Sequence, residues 1–359
     1  MNRLHKLRIL KVRKDTPEAL IVALEVPASL RRSFGFKHGQ FLTLKAEIDG
    51  EDIRRPYSIC SQAHPVPCSL EVGIKKVADG VFSSWAHKVL SIGDELEVLP
   101  PDGSFTSVLK PDRSQYYCCV AIGSGITPII SVIRTVLDEE PLSKILLIYG
   151  NRRTATAMFL EEINALKNRY MGRFQIYHIF SQERGISDLL SGRIKGQSVI
   201  KIVEKTFQTL VEVEFFLCGP AEASDEIFDS LIRSGVPELS IHQELFGQRL
   251  QDSPREIQLS LSKRDSSLVT LRYGGRTYEV QFQKRHKNIL EAGLEQGLDL
   301  PYSCKAGACT TCRGVLVEGD VHMGSHHVLD KASISAGYIL TCQSRPDSER
   351  IIIDLDHKK

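Results

Sequence analysis

Residues 304–312 read Cys-Lys-Ala-Gly-Ala-Cys-Thr-Thr-Cys, and a further cysteine stands at 342 within Leu-Thr-Cys-Gln. The spacing C-x4-C-x2-C-x29-C is the ligand pattern of a plant-type [2Fe-2S] cluster. Cys304, Cys309, Cys312 and Cys342 would supply four thiolates, two to each iron, and thiolate is soft enough to hold iron beside bridging sulfide. Apart from Lys305, the residues between the first three are alanine, glycine and threonine. Such small side chains let backbone N–H groups turn inward and donate to cluster sulfur, which stabilises the more negative, reduced state. A four-cysteine zinc site is the alternative, but its ligands come as two close pairs, a poor match to three in one loop and one far away. Cys118 and Cys119, adjacent in an apolar strand, suit ordinary burial.

Working outward, segments 257–261, 268–273 and 277–282 have the composition of strands, and 288–296 that of a short helix. They place the cysteine loop in a small α+β unit, 257–359. A polar stretch with one proline, 248–256, reads as the linker in front of it. Over 113–247, strand-like and helix-like segments alternate: 116–122, 127–140, 144–149, 158–170, 174–180, 214–218 and 223–234. That alternation predicts an α/β domain, a parallel sheet covered by helices. Residues 1–112 carry short alternating runs at 20–26, 40–46, 70–76 and 95–99, broken by Asp-Gly and proline turns. This is the pattern of an antiparallel β-barrel.

The strand at 116–122 runs into Gly123-Ser124-Gly125-Ile126-Thr127-Pro128 and then a helix. Glycines let the backbone approach a ligand, and a helix N-terminus offers unpaired N–H groups to a pyrophosphate. Pro128 occupies the place of the third glycine of the dinucleotide fingerprint, so that fingerprint is not met as written. Two further segments supply context: Arg55-Pro56-Tyr57-Ser58 in the barrel and Cys218-Gly219-Pro220 after a later strand.

Together these segments resemble the ferredoxin–NADP reductase superfamily. The module order, completed by a C-terminal ferredoxin-like β-grasp domain, resembles the reductase components of multicomponent oxygenases over the whole chain. The resemblance implies FAD held by Arg55, Pro56, Tyr57 and Ser58, lined by Val72, Gly73 and Ile74. Gly80, Phe82, Ser83 and Ser84 would meet its pyrophosphate. It implies a nicotinamide nucleotide held by Gly123, Ser124, Gly125, Thr127, Pro128, Cys218, Gly219 and Pro220. Ser58, Cys218 and Glu244 would form the catalytic group, with Phe246 at the flavin edge, although ordinary packing explains Phe246 equally well. NADPH is the expected coenzyme, its 2'-phosphate met by Arg152, Ser181 and Arg184. The family's serine-arginine pair appears here as Ser181-Gln182.

Lys+Arg 46 against Asp+Glu 44 leaves +2, no electrostatic footprint for nucleic acid. No apolar run reaches the roughly 18 residues of a membrane span, and charges scattered through the first fifteen residues argue against an export signal. The cytoplasm is the expected location. A nicotinamide delivers two electrons together, whereas one [2Fe-2S] cluster takes one, so a flavin must stand between them. The expected order is NADPH to FAD to [2Fe-2S] to a separate oxygenase, a di-iron epoxidase ahead of a Rieske dioxygenase, hydroxylase, desaturase or P450. The chain carries no paired E-x-x-H set with which to activate oxygen itself. NADH in place of NADPH, FMN in place of FAD, and a redox-sensing iron-sulfur protein are the alternatives. The purified protein is expected to contain about two irons per chain and no zinc. C342S should abolish one-electron delivery from the cluster while leaving coenzyme-driven reduction of a two-electron acceptor at the flavin intact, measured by steady-state assay with each acceptor.

Overall fold

The computed structural model describes residues 3–183, 190–246, 266–324, 328–329 and 331–356. Six antiparallel strands form the N-terminal barrel: β1 (His5–Thr16), β2 (Ala19–Glu25), β3 (Phe41–Ile48), β4 (Glu51–Ser58), β5 (Ser69–Lys75) and β6 (Glu95–Val98), in the order β4-β3-β6-β1-β2-β5. The edges meet where Ile59 bridges Val72. Alternate residues point inward, so Leu7, Ile9, Val22, Leu24, Leu44, Val72, Ile74 and Val98 share one core. Two strands escaped the sequence reading. β1 carries charge at every second or third position, and β4 carries Glu51, Asp52, Arg54 and Arg55, so neither stands out as an apolar run. Helix α1 (Val81–Val89) closes one end of the barrel with Phe82 and Ala86.

The parallel sheet has β7 (Tyr116–Ile122), β8 (Lys144–Asn151), β9 (Phe174–Phe180), β10 (Val213–Pro220) and β11 (Ile241–Phe246), in the order β11-β10-β7-β8-β9. Its helices are α2 (Ile126–Glu139), α3 (Leu160–Arg169), α4 (Gly196–Phe207) and α5 (Ala221–Arg233). Helix α4 was not anticipated. The chain builds β7, β8 and β9 in one direction, then returns to place β10 on the other side of β7. The crevice beyond the carboxyl ends of β7 and β10 is therefore the topological switch point, where sheets of this kind bind ligands.

Barrel and parallel sheet belong to one compact unit. A polar seam joins them. Arg134 of α2 donates to the Cys60 carbonyl and pairs with Glu162, which also pairs with Arg13 of β1. Asp15 accepts from the Phe159 N–H at 2.8 Å, fixing a left-handed residue that starts α3. Thr135 accepts from the Ala63 N–H at 3.0 Å. Apolar contacts continue the seam, with Phe105 packed edge-on against Phe216, ring centroids 5.2 Å apart.

The C-terminal sheet is a second unit. Its strands β12 (Ser266–Tyr273), β13 (Arg276–Gln283), β14 (Arg313–Glu318), β16 (Tyr338–Leu340) and β18 (Arg350–Asp354) run in the order β13-β12-β18-β14-β16, with β15 (Val321–Met323) and β17 (Ser344–Pro346) paired apart. β12 and β18 are parallel and the other pairings antiparallel, as a β-grasp sheet requires. Helix α6 (Ile289–Glu295) is capped by Asn288, whose side chain accepts from the Glu291 N–H, and buries Ile289, Leu290 and Ala292 on the sheet. Helix α7 (Lys331–Ser335) lies between β15 and β16. The linker 248–256, the strand expected at 257–261 and Arg184 fall outside the described residues.

One buried carboxylate fixes how the chain passes from barrel to sheet. Glu140, fully buried at the end of α2, accepts from the Tyr117 hydroxyl at 2.9 Å, the Ser143 hydroxyl at 2.7 Å and the Lys110 N–H at 2.9 Å. Removing it orphans the Tyr117 hydroxyl and the Lys110 N–H, each costing about 1–3 kcal/mol when left buried and unpaired, and leaves Ser143 only the Arg113 carbonyl. E140A is expected to lower the urea midpoint strongly, by about 3 kcal/mol in unfolding free energy, with the m-value unchanged.

Candidate functional site

Most of the expected nucleotide residues gather at the switch point. Gly123, with φ of +59°, opens a tight turn through Gly125 that leads directly into α2. A side chain at Gly125 would lie 2.1 Å from the Cys218 carbonyl oxygen, and one at Gly219 would lie 2.8 Å from Ile122. Both glycines thus allow the ends of β7 and β10 to touch. Thr127 is buried, its hydroxyl donating to the Ser124 carbonyl at 3.0 Å. The first turn of α2 has no acidic residue and no side-chain cap; the Ile126 N–H already donates to the Gly123 and Ser124 carbonyls and Pro128 has no N–H, so what it offers an anion is the positive end of the helix dipole.

The barrel presents β5 to the same place. A side chain at Gly73 would lie 2.6 Å from Thr127 and 3.1 Å from Met158, so the strand lies directly against the start of α2. Val72 and Ile74, expected to line a flavin, turn their side chains into the barrel core, as period-two alternation demands, and both residues are fully buried. Phe82 is likewise committed to the core, its ring 5.5 Å from that of Tyr57. The Ser83 hydroxyl is engaged within its own turn, donating to the Gly80 carbonyl and accepting from the Val77 N–H. What Gly80, Phe82, Ser83 and Ser84 offer a pyrophosphate is therefore the uncapped N-terminus of α1. Tyr57 is half-buried, and Arg55 is exposed, its guanidinium donating to the Arg54 carbonyl. These are groups that can hold FAD: an uncapped helix start, an arginine and an aromatic on one barrel. FAD, when bound, supplies the conversion of an electron pair into single electrons.

Ser58, Cys218 and Glu244 are brought together, although they come from two domains. Cys218 and Glu244 stand opposite each other in the pairing of β10 with β11, and the Ser58 hydroxyl donates to the Glu244 carboxyl. Glu244 keeps some surface elsewhere, but its Oε2 is buried without a hydrogen-bond partner. Burial pushes its pKa up to about 8, and the serine only partly offsets this. Burial, reinforced by the Glu244 charge, raises the Cys218 thiol far above its usual range, so it stays protonated. The group can therefore hold a proton at Glu244 near neutral pH, with Ser58 as its hydrogen-bonded neighbour. Phe246 packs against the core cluster that includes Cys218 and Met158. Arg152 and Ser181 lie exposed, just past the ends of β8 and β9.

In the C-terminal unit the four cluster cysteines converge in two pairs. The Cys309 thiol donates to Cys304 and lowers its pKa, and Cys312 does the same for Cys342. Loop N–H groups aim at the sulfurs: Ala306, at 3.4 Å, and Ala308 toward Cys304, and Gly307 toward Cys342. Gln343 donates to Cys342 Sγ at 3.6 Å and to the Lys305 carbonyl at 3.3 Å. Ser303, Thr310 and Thr311 hydroxyls are buried without partners, donors that cluster sulfur would satisfy. Among the described residues no three potential ligands gather as a site for one ion. Pairing Cys304 with Cys309 and Cys312 with Cys342 fits two irons, each held by two thiolates.

Comparison with known proteins agrees with this arrangement. Residues 8–107 match the oxidoreductase FAD-binding domain, 119–225 the oxidoreductase NAD-binding domain, and 272–347 the 2Fe-2S iron-sulfur cluster binding domain. The chain is 37% identical over 358 residues to a component of the 1,2-phenylacetyl-CoA epoxidase of Escherichia coli K12, covering 100% of this chain and 99% of that protein. It belongs to the reductase components of multicomponent oxygenases. The ferredoxin reductase component of 3-ketosteroid-9-alpha-monooxygenase from Rhodococcus rhodochrous is 30% identical, with 97% and 96% of the two chains aligned. Phthalate dioxygenase reductase shares the fold over 98% of both chains, with TM-score 0.60 and 23% identity. A type IV self-sufficient cytochrome P450 monooxygenase gives TM-score 0.70 at 22% identity, and the reductase spans 41% of it. The reductase thus uses FAD, a nicotinamide coenzyme and a [2Fe-2S] cluster, and it delivers electrons to an oxygenase component. No described helix is long and apolar enough to cross a membrane.

Sequence reasoning missed the supports of this site. Asp15, Arg134 and Glu162 join the two domains, and no local pattern marks charged residues that meet only after folding. The raised pKa of Glu244 carries a testable sign. The unfolded carboxyl ionises near 4.5 and the folded one near 8, so stability is full below pH 4.5 and declines as pH rises toward 8. E244Q removes that decline: its melting temperature relative to the native sequence should improve by several degrees between pH 5 and pH 9, followed by thermal denaturation.

Proposed function

We propose that the reductase takes NADPH and delivers its electrons to a di-iron epoxidase acting on phenylacetyl-CoA. The observation that carries this reading is the full-length similarity to the E. coli epoxidase component, 37% identical against 30% for the ketosteroid relative and 27% for the reductase of a glycine betaine monooxygenase. In this reading residues 1–112 hold FAD, 113–247 hold the coenzyme, and 257–359 hold the cluster and meet the acceptor. Arg55, Tyr57 and the start of α1 bind the flavin, and the turn at 123–128 with Cys218-Gly219-Pro220 binds the coenzyme. Ser58, Cys218 and Glu244 flank the path of hydride. Arg152, Ser181 and Arg184 take the 2'-phosphate. Reduced thiols among nine cysteines accord with a cytoplasmic setting.

A second reading, NADH as coenzyme, draws on Gln182 in the place of the family's arginine. Reconstitution tests the acceptor. Mixed with the epoxidase's catalytic components and phenylacetyl-CoA, the reductase should couple NADPH oxidation to epoxide formation, measured as product per NADPH consumed. Efficient coupling to a Rieske or P450 oxygenase, with none to the epoxidase, would refute the acceptor and leave the electron path standing.

A further inference from the structure

We propose that Glu183 is a coenzyme-specificity residue that disfavours NADPH. β8 and β9 stay paired past their ends, the Ser181 N–H donating to the Asn151 carbonyl and the Gln182 N–H to the Arg152 carbonyl, each at 2.9 Å. Two side-chain clamps cross this edge. The Glu183 carboxylate accepts from the Thr154 N–H at 3.0 Å and from the Thr154 hydroxyl at 2.7 Å. Arg153 Nε donates to Gln182 Oε1 at 3.2 Å. The Thr154 hydroxyl and N–H, with Arg153 adding its charge, hold the carboxyl below its ordinary range, so Glu183 is ionised throughout the working pH range.

In a nucleotide-binding parallel sheet, the strand that follows the first helix ends where the adenosine ribose is read. A carboxylate there accepts from a free 2'-hydroxyl, and an arginine meets a 2'-phosphate. This chain sets both kinds of group on one edge, Arg152 and Arg153 after β8 and Glu183 after β9. Arg153 acts on Glu183, so part of its charge is already answered. Arg152 acts on Lys75 of β5, a like charge, and leaves the edge attractive to an anion. Glu183 therefore opposes a phosphate that carries about −1.5 to −2 at neutral pH, and is neutral or favourable toward a ribose hydroxyl. Between solvent-exposed charges such opposition amounts to about a two- to fivefold change in affinity.

The inference rests on the proposed coenzyme site only in placing the ribose at the β8–β9 edge. E183Q tests it in the full-length, FAD- and cluster-loaded protein, because glutamine keeps an acceptor for Thr154 and removes the charge. NADP+ and NAD+ binding are measured by calorimetry, and kcat/KM with NADPH and NADH at 0.05 M and 1 M salt. NADP+ affinity and kcat/KM for NADPH should rise about threefold, the NAD+ and NADH values should hold, and the gain should fade at high salt. E183A should move the NADPH:NADH ratio in the same direction. Equal changes for both coenzymes, no change for either, or a gain insensitive to salt would overturn the role of Glu183. The native protein's own NADPH:NADH ratio judges the coenzyme preference separately: a higher efficiency with NADH refutes that preference while the E183Q comparison stands.

Discussion

The reaction needs a coenzyme-binding sheet and a flavin-binding barrel held in close, fixed register; the missing side chain of Gly73 makes that register possible, and that of Gly125 closes the sheet's own switch point. Gly125 lets the turn after β7 rest on the Cys218 carbonyl, and Gly73 lets β5 lie against the start of α2. At either position a Cβ would drive backbone or a buried threonine aside. Close-packed interiors yield little to such a shift, so the cost would fall on the crevice itself. The polar seam of Arg13, Asp15, Arg134 and Glu162 then holds the two domains in the register Gly73 permits.

That register produces the unusual chemistry of the crevice. Glu244 comes from β11 and Ser58 from the barrel, and the buried carboxyl has Ser58 as its hydrogen-bonding neighbour. An ionised carboxylate in such a place loses water without gaining a cation, so it retains its proton near neutral pH. Perturbed groups of this kind concentrate where chemistry occurs. Here burial at the end of β11 raises the carboxyl's pKa, and Ser58, from the end of β4, partly offsets it.

The cluster unit solves a different problem by the same means. Its loop must present four sulfurs two by two and surround them with N–H donors. Residues with positive φ, Lys305 and Gly307, turn the loop so that several amides face inward. Cys342 is delivered from after β16, fixed by its place between Leu340 and Ser344 in a buried turn. Gln343 ties that turn back to Lys305, so the two ligand-bearing segments are held as one piece.

By itself the sequence determined the module order and displayed the cysteine spacing and the glycine turn before a helix, because each depends on local chemistry: thiolate spacing, glycine before a helix, alternation of apolar residues. It also placed most strands and helices within a residue or two. Charged β1 and β4, helix α4 and strands β14 to β18 of the cluster unit were hidden, since their burial comes from partners distant in sequence. The tertiary structure alone decided that Val72, Ile74 and Phe82 face the barrel core, that Ser58, Cys218 and Glu244 share one buried spot, and that Glu183 is clamped to Thr154 beside Arg153. Spacing along the chain fixes which groups are present, but their burial, partners and charge state are set by surfaces that meet only when the chain has folded.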